Sequence, residues 1–273
     1  MTPIDVQDLI KVGVHFGHRT SRWNPKMAPY ILKKRNLIHI IDLRHTVHGL
    51  IVGGKLAEAV AKQGKYVLLV GTKRQARETV RAQAQRCGMP YVSERWPGGL
   101  LTNYATIRSR LDRLIELEDL EKTGGINLYS KKMISSLRRE RRKIDRNLGG
   151  VRTMDKLPGL VVIVDPKREH IAVKEAVKLG IPTVAWMDTD SDPDEIDVVV
   201  PANDDAIGAI QVFLRRVADA ILAGTKDEKE QQAPSPEDKE AADTGAEAEG
   251  TAEPEEPAEA PAESASGQKT VQQ

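Results

Sequence analysis

A single cysteine, Cys87, stands in a chain of 273 residues. One thiol builds no disulfide framework, which points to a reducing compartment. No thiolate-activating motif surrounds it, so it reads as buried and inert. Long apolar runs are missing too: nothing approaches the ~20 consecutive residues that a membrane helix needs. The opening Met1-Thr2-Pro3-Ile4-Asp5 carries acid early and lacks the basic-then-apolar order of a secretion signal. A cytoplasmic, soluble protein without a membrane partner is expected. Acid is scarce in most of the chain and concentrated at its end. Residues 226–273 hold 4 Lys against 14 Asp and Glu, leaving 37 basic and 26 acidic residues in 1–225. The formal charge of +1 therefore hides a body at +11 and a tail at −10. So basic a body suggests a polyanionic partner, because clustered Lys and Arg gain affinity by releasing phosphate counterions.

What is present is an alternation of apolar strands and helical patterns. Ile38–Leu43 is a short strand candidate, followed by a helix through Leu50, Leu56 and Val60 that closes at Gly64. Tyr66–Val70 reads as a buried strand, the segment from Ala76 to about Arg86 as a helix, and Tyr91-Val92 as a weaker strand. Beyond residue 150 come Leu160–Val164, a helix from Glu169 to Leu179 stopped by Gly180, and strands at Thr183–Trp186 and Val198–Val200. Asn203 or Asp204 caps a last helix running to Ala223. Continuous apolar strands separated by helices predict an α/β fold: a Rossmann-like, doubly wound, mainly parallel sheet covered on both faces.

Residues 101–150 interrupt this alternation. Ile107, Leu111, Leu114, Leu117 and Leu120, then Ile134, Leu137, Arg141, Ile144 and Leu148, recur at steps of three and four around the breaker Thr123-Gly124-Gly125-Ile126-Asn127. The spacing predicts an inserted α-helical coiled-coil hairpin between the two parts of a discontinuous α/β domain, 1–100 and 151–225. Its second arm is densely basic: Lys131, Lys132, Arg138, Arg139, Arg141, Arg142, Lys143 and Arg146 face only Glu140 and Asp145. Arg141 falls on the apolar seam, which reads as a seam opened toward RNA or protein. From 226 to 273 the composition collapses to Ala, Glu, Pro, Ser, Gly and Gln, predicting a disordered acidic tail.

Catalytic signatures are wanting. Gly71-Thr72-Lys73-Arg74-Gln75-Ala76 lies where a strand opens into a helix, a place suited to phosphate, yet it is neither a glycine-rich dinucleotide loop nor a P-loop. Asp188, Asp190, Asp192 and Asp194 lack the glycine and the bidentate Glu of a calcium loop. No cofactor is predicted. A structural divalent metal at Asp188, Asp204 and Asp205 is weighed against the simpler account, capping by Asp204 and a turn at Asp192-Pro193. His15 and His18 have no Cys or carboxylate beside them in sequence to complete a metal set. Nucleic acid fits better. Trp23 lies among Arg19, Arg22 and Lys26, and Trp96 follows Arg95, so cations could take phosphates while rings stack on bases. Core packing accounts for either Trp about equally well. No base-reading DNA motif appears, which favours recognition of folded RNA by shape and backbone.

The chain resembles the bacterial small-subunit ribosomal protein number two family, written uS-two. The resemblance rests on Val14-His15-Phe16-Gly17-His18, Trp23-Asn24-Pro25-Lys26-Met27, Ile38–Leu43 and Gly71–Ala76. It continues through Arg95-Trp96, Gly98-Gly99, Leu101-Thr102-Asn103, Asp165-Pro166, Gly180-Ile181-Pro182, and Pro201 with Asn203–Ile207, spanning about residues 3–224. Pro97 and Leu100 stand where the family has Leu and Thr, and Asp190 and Ser191 where it has Asn and Cys. The resemblance implies a structural, non-enzymatic constituent of the small ribosomal subunit. Its partners would be small-subunit ribosomal RNA and neighbouring small-subunit proteins, including the mRNA-binding first one, with no small-molecule substrate. The expected RNA contacts are Arg19, Arg22, Trp23, Lys26, Lys73, Arg74, Arg95, Trp96, Lys131, Lys132, Arg138, Arg139, Arg141, Arg142, Lys143 and Arg146. The rival is a phosphometabolite-binding α/β enzyme using Gly71–Gln75 and the Asp-rich strand ends. A non-ribosomal RNA chaperone would share the charge pattern without sedimenting stoichiometrically with the subunit.

Overall fold

A computed structural model describes residues 4–232. The expected disordered tail lies outside the described residues from 233 onward. Its first part does not: the last helix continues through the expected boundary at 226 to Gln232. The chain opens with α1 (Val6–Lys11), capped by the Asp5 carboxylate, which accepts from the Gln7 N–H. Next come β1 (Phe16–Arg19), β2 (Ile31–Arg35) and β3 (Ile38–Ile41), which form a three-stranded antiparallel sheet in the order β1-β3-β2. This sheet is a correction. The sequence pattern shows a short helical start at Ile4, Leu9 and Ile10, which α1 matches, and one strand at Ile38–Leu43, but it leaves His15–Lys26 as an irregular run.

The main layer follows as α2 (Leu43–Lys62), β4 (Val67–Val70), α3 (Arg77–Cys87) and β5 (Tyr91–Val92). Then come α4 (Tyr104–Lys122), α5 (Lys131–Leu148), β6 (Leu160–Val164), α6 (His170–Leu179), β7 (Thr183–Met187), β8 (Val198–Pro201) and α7 (Ile207–Gln232). Strands β4 to β8 make one all-parallel sheet in the order β5-β4-β6-β7-β8. After β5 the chain returns past β4, so the topological switch point lies between the carboxyl ends of β4 and β6. Helices α4 and α5 occupy that return connection.

Alternation along the strands sorts the core. Val67, Leu69, Val162, Val164 and Trp186 pack with α2, α3 and α7, while Leu68, Val70, Val161, Ile163 and Ala185 pack with α6 and the base of α4 and α5. Burial on both faces explains why these strands read as unbroken apolar runs. Each fully buried Val, Leu or Ile stabilises the fold by about 1.5–3 kcal/mol. The predicted stop after α6 holds for a backbone reason: Gly180 closes the helix at φ +65°, where a Cβ would be strained. No helix among the described residues is long and apolar enough to cross a membrane.

Candidate nucleic-acid interface

Helices α4 and α5 pack on one another through Leu117, Leu137 and Ile126 at the far end, and join the main core through Ile107, Leu111 and Leu148. Ile126, read as part of a breaker, is buried in this seam. Arg141 does not open the seam. It is half-buried, and its Nε lies 3.2 Å from Oε2 of Glu121 on α4, whose other oxygen is 3.2 Å from Arg138 Nε. Both arginines are thereby engaged within the protein. Arg142 donates to the Arg138 carbonyl and otherwise faces solvent. Lys131, Lys132, Arg139, Lys143 and Arg146 are exposed and carry no ion pair among the described residues. Lys131 and Lys132 sit in the first turn of α5, where positive charge opposes the helix dipole. Helix energetics does not account for them.

The Arg95-Trp96 run divides. Arg95 is exposed, but Trp96 is not a stacking platform. It is 6 % exposed, and its indole N–H donates to Oε1 of Glu175 at 3.0 Å. The same carboxylate accepts from Gly99 N at 2.8 Å, Leu101 N at 3.0 Å, and both N and Oγ1 of Thr102 at 3.2 Å. Burial pushes the Glu175 carboxyl up, yet these donors outweigh it and hold it below its ordinary value. The loop leading into α4 is thus tied around one buried anion on α6.

The N-terminal run is split in the same way. Arg19 and Arg22 are exposed. Lys26 is paired with Asp192 at 2.7 Å and Asp194 at 2.5 Å. Trp23 is half-buried with its ring 5.1 Å from that of the buried His39, so packing accounts for it. Lys26, Trp23, Lys73 and Trp96 are all internal partners, and Arg138 and Arg141 are shared with Glu121.

Lys73 belongs to the switch point. Its ammonium lies 2.8 Å from Asp204 and 2.6 Å from Asp205, with Asp165 at 3.9 Å. Beside it His18 Nδ1 meets Asp188 Oδ2 at 2.7 Å, while the His18 backbone N–H donates to Asp188 Oδ1 and Thr189 Oγ1 at 3.0 Å. The close approach needs Gly17, since a Cβ there would lie 2.7 Å from Thr189 Cγ2. Asp165 holds its place at φ +62°, a conformation that costs a non-glycine residue free energy. The Thr72 N–H, which a phosphate at this turn would use, donates instead to the buried Glu169 at 3.1 Å, and the Thr72 hydroxyl donates to the same oxygen. Carboxylates of Asp165, Glu169, Asp188, Asp204 and Asp205 gather where an anionic substrate would have to enter, so the phosphometabolite site is not there.

A metal fits no better. Ligand atoms of His18, Asp188 and Asp204 lie within 4.8 Å of one another. An ion among them would have to displace the Lys73 ammonium and strip the proton from His18. The cluster is an internal ion-pair network joining β1, the loop after β4 and the loops after β7 and β8. Asp204 is part of this network and does not cap α7. Nor does Asn203: its Oδ1 accepts from the N–H groups of Asp205 and Ala206, a turn that precedes the helix start at Ile207.

The hydrogen bond to Asp188 raises the His18 pKa from 6.5 to about 9, and burial with Asp165 and Asp188 nearby raises Asp204 to about 7. A raised folded pKa means that the His18 contribution is complete below 6.5 and is lost as pH climbs through 9. Unfolding free energy should fall by roughly 2–3 kcal/mol between pH 6.5 and about 10, and His18→Gln should remove that component. Urea titrations at the two pH values check it. Asp204 acts with the same sign at lower pH, so the His18 effect is read above about pH 7.

The loop staple Glu175 and the two carboxylates Glu169 and Glu121 escaped the sequence reading. Glu175 alone left a trace, a charge among the buried Ala172, Val173 and Ala176 of α6.

The family described as Ribosomal protein S2 matches residues 9–224. The small ribosomal subunit protein uS2 of Rhodopirellula baltica is 57 % identical over 230 residues, covering 84 % of this chain and 88 % of that protein. The chain belongs to the ribosomal protein S2 family, structural and non-enzymatic components of the small subunit of the cytoplasmic ribosome.

Proposed function

We propose that the chain is anchored in the small subunit by ribosomal RNA, gripped chiefly through the unpaired cations of α5. The α4–α5 pair acts in this reading as the inserted coiled-coil hairpin, residues 101–150, of a discontinuous α/β domain. The carrying observation is that Lys131, Lys132, Arg139, Lys143 and Arg146 remain exposed without ion pairs among the described residues while Glu121 takes up Arg138 and Arg141. Exposed cations left free of carboxylates are what phosphate neutralisation requires. Arg19, Arg22, Arg74 and Arg95 extend the contact. The α/β layer supplies a rigid base; its switch point is closed by its own ion pairs.

A protein neighbour has a separate place. An apolar cavity of about 950 Å³ lies among α1, the small antiparallel sheet and the start of α2, lined by the exposed Val6, Ile10, Phe16 and Leu32. Exposed apolar patches of this kind mark protein contacts. We assign it to a neighbouring small-subunit protein, the mRNA-binding first one being the expected candidate, through which the chain supports subunit assembly and translation.

Sedimentation tests the reading. Full-length protein added to small subunits depleted of this component should co-sediment at one copy per particle in moderate salt. Protein that stays at the top of the gradient, or binds without saturating, overturns it.

A further inference from the structure

A groove of about 590 Å³ runs between the 95–98 loop, the first turns of α4, the end of α5 and the start of α6. Its size is that of small-ligand sites, which occupy roughly 300–1,000 Å³. Two exposed arginines, Arg95 and Arg110, stand on it, and neither carries an ion pair among the described residues. No carboxylate lines it. Pro97, Ile107 and Ile171 give it apolar surface, and Ile171 is 44 % exposed although aliphatic. Hydrogen-bonding groups complete the lining. Thr106 Oγ1 donates to Asn103 Oδ1 at 2.8 Å, which leaves the Asn103 amide N–H groups free to donate, and Asn147 adds a second amide.

Resting on the RNA-binding reading, we propose that this groove is a subsite for one unpaired nucleotide of single-stranded RNA, its base held inside and its flanking phosphates on Arg95 and Arg110. Apolar surface beside neutral amides suits an unstacked base, and cations without acids suit its backbone. An acidic protein segment would share the cations but would gain little from two amides and an apolar floor. The wall is pre-formed, because the buried Glu175 ties Trp96, Gly99, Leu101 and Thr102 in place. Little ordering entropy is then lost on binding. A smaller polar cavity of about 290 Å³ shares Asn147 and adds Arg146, which has no ion pair among the described residues, and Arg81, which lies 3.7 Å from Glu94, beside the Asp145 carboxylate. The strand therefore has a polar path, with Arg146 to take a phosphate, from the subsite toward α5.

Gly98 provides a clean test. Gly98 lines the groove and a Cβ built there meets nothing within 4 Å, so Gly98→Phe adds a ring at the groove wall without a clash in the core. The probe is a uridine dodecamer carrying one central 2-aminopurine, titrated into the full chain, with Arg110→Ala as a second variant and thermal melts as a fold control. Each variant should lower dodecamer affinity about ten-fold and abolish the fluorescence change that reports the unstacked base. Adenosine 5′-monophosphate should compete better than ribose 5-phosphate. Wild-type affinity in Gly98→Phe, or equal competition by the two phosphates, overturns the subsite. Displacement of the dodecamer by an octaglutamate peptide more effectively than by the nucleotide overturns it in favour of a protein site. If the unaltered chain ignores the dodecamer yet is retained on small-subunit ribosomal RNA, the groove fails and the RNA reading stands; if it binds neither, both fail.

Discussion

Replacing Glu175 by Gln is expected to destabilise the protein by about 3–5 kcal/mol, measured by denaturant unfolding. The carboxylate is 8 % exposed and accepts from the Trp96 indole, three backbone N–H groups and the Thr102 hydroxyl. Glutamine keeps the shape but loses the charge, and it points its own N–H groups at donors that need acceptors. Hydrogen bonds to a charged group contribute roughly 1.5–3 kcal/mol each, and a buried donor left unpaired costs about as much again. The change also has a pH signature. Because the folded pKa of Glu175 lies below its ordinary 4.5, its contribution is complete above that value and is lost as pH falls through the folded pKa. Glu175→Gln should therefore remove part of the acid sensitivity as well as lowering stability at neutral pH. A variant as stable as the parent would show that the loop before α4 is held by packing alone.

Alanine at Arg139, Arg142, Lys143 and Arg146 together should weaken binding to small-subunit ribosomal RNA on the order of a hundred-fold near 0.1 M salt. These side chains are exposed on α5 and bear no ion pair among the described residues, so stability should change by no more than about 0.5 kcal/mol per site. The companion variant, alanine at Arg138 and Arg141, discriminates between charge in general and free charge in particular. Those two guanidinium groups already lie 3.2 Å from Glu121, and Arg141 is half-buried. Removing them leaves Glu121 unpaired, so the pair should cost more in stability and less in RNA affinity per residue removed.

The division between legible and hidden features follows from how far each depends on local pattern. Strand β6, all of it buried, was visible at Leu160–Val164 because burial on both faces writes an unbroken apolar run. The α4–α5 seam was legible for a different reason: burial of one helical face spaces Leu111, Leu114, Leu117 and Leu137 on steps of three and four. The small antiparallel sheet stayed hidden. Strand β2 reads Ile31-Leu32-Lys33-Lys34-Arg35, exposed along most of its length, and only pairing with β3 makes it a strand. The turn between them is a two-residue hairpin with Asn36 at φ 49° and Leu37 at φ 60°. Such turns favour Asn-Gly, and leucine in the second place disguises the signal.

The candidate site was legible as charge but not as partnership. Sequence shows that Lys26, Lys73 and Arg141 are cations. It does not show that Asp192, Asp204 and Glu121, brought from distant segments, already answer them. Trp96 beside Arg95 had the look of a stacking pair until Glu175, 79 residues on, claimed the indole. Of the expected cations, those of α5 other than Arg138 and Arg141, with Arg19, Arg22, Arg74 and Arg95, have no ion pair among the described residues, and these are the ones proposed to meet RNA.

The salt dependence of ribosomal RNA binding tests that claim most directly. The logarithm of the binding constant should fall linearly with the logarithm of salt concentration, by roughly 0.7–0.9 per phosphate neutralised. Removing Arg139, Arg142, Lys143 and Arg146 should flatten that slope by about 3. Parallel lines for parent and variant would mean that α5 does not touch phosphate, and would contradict the account.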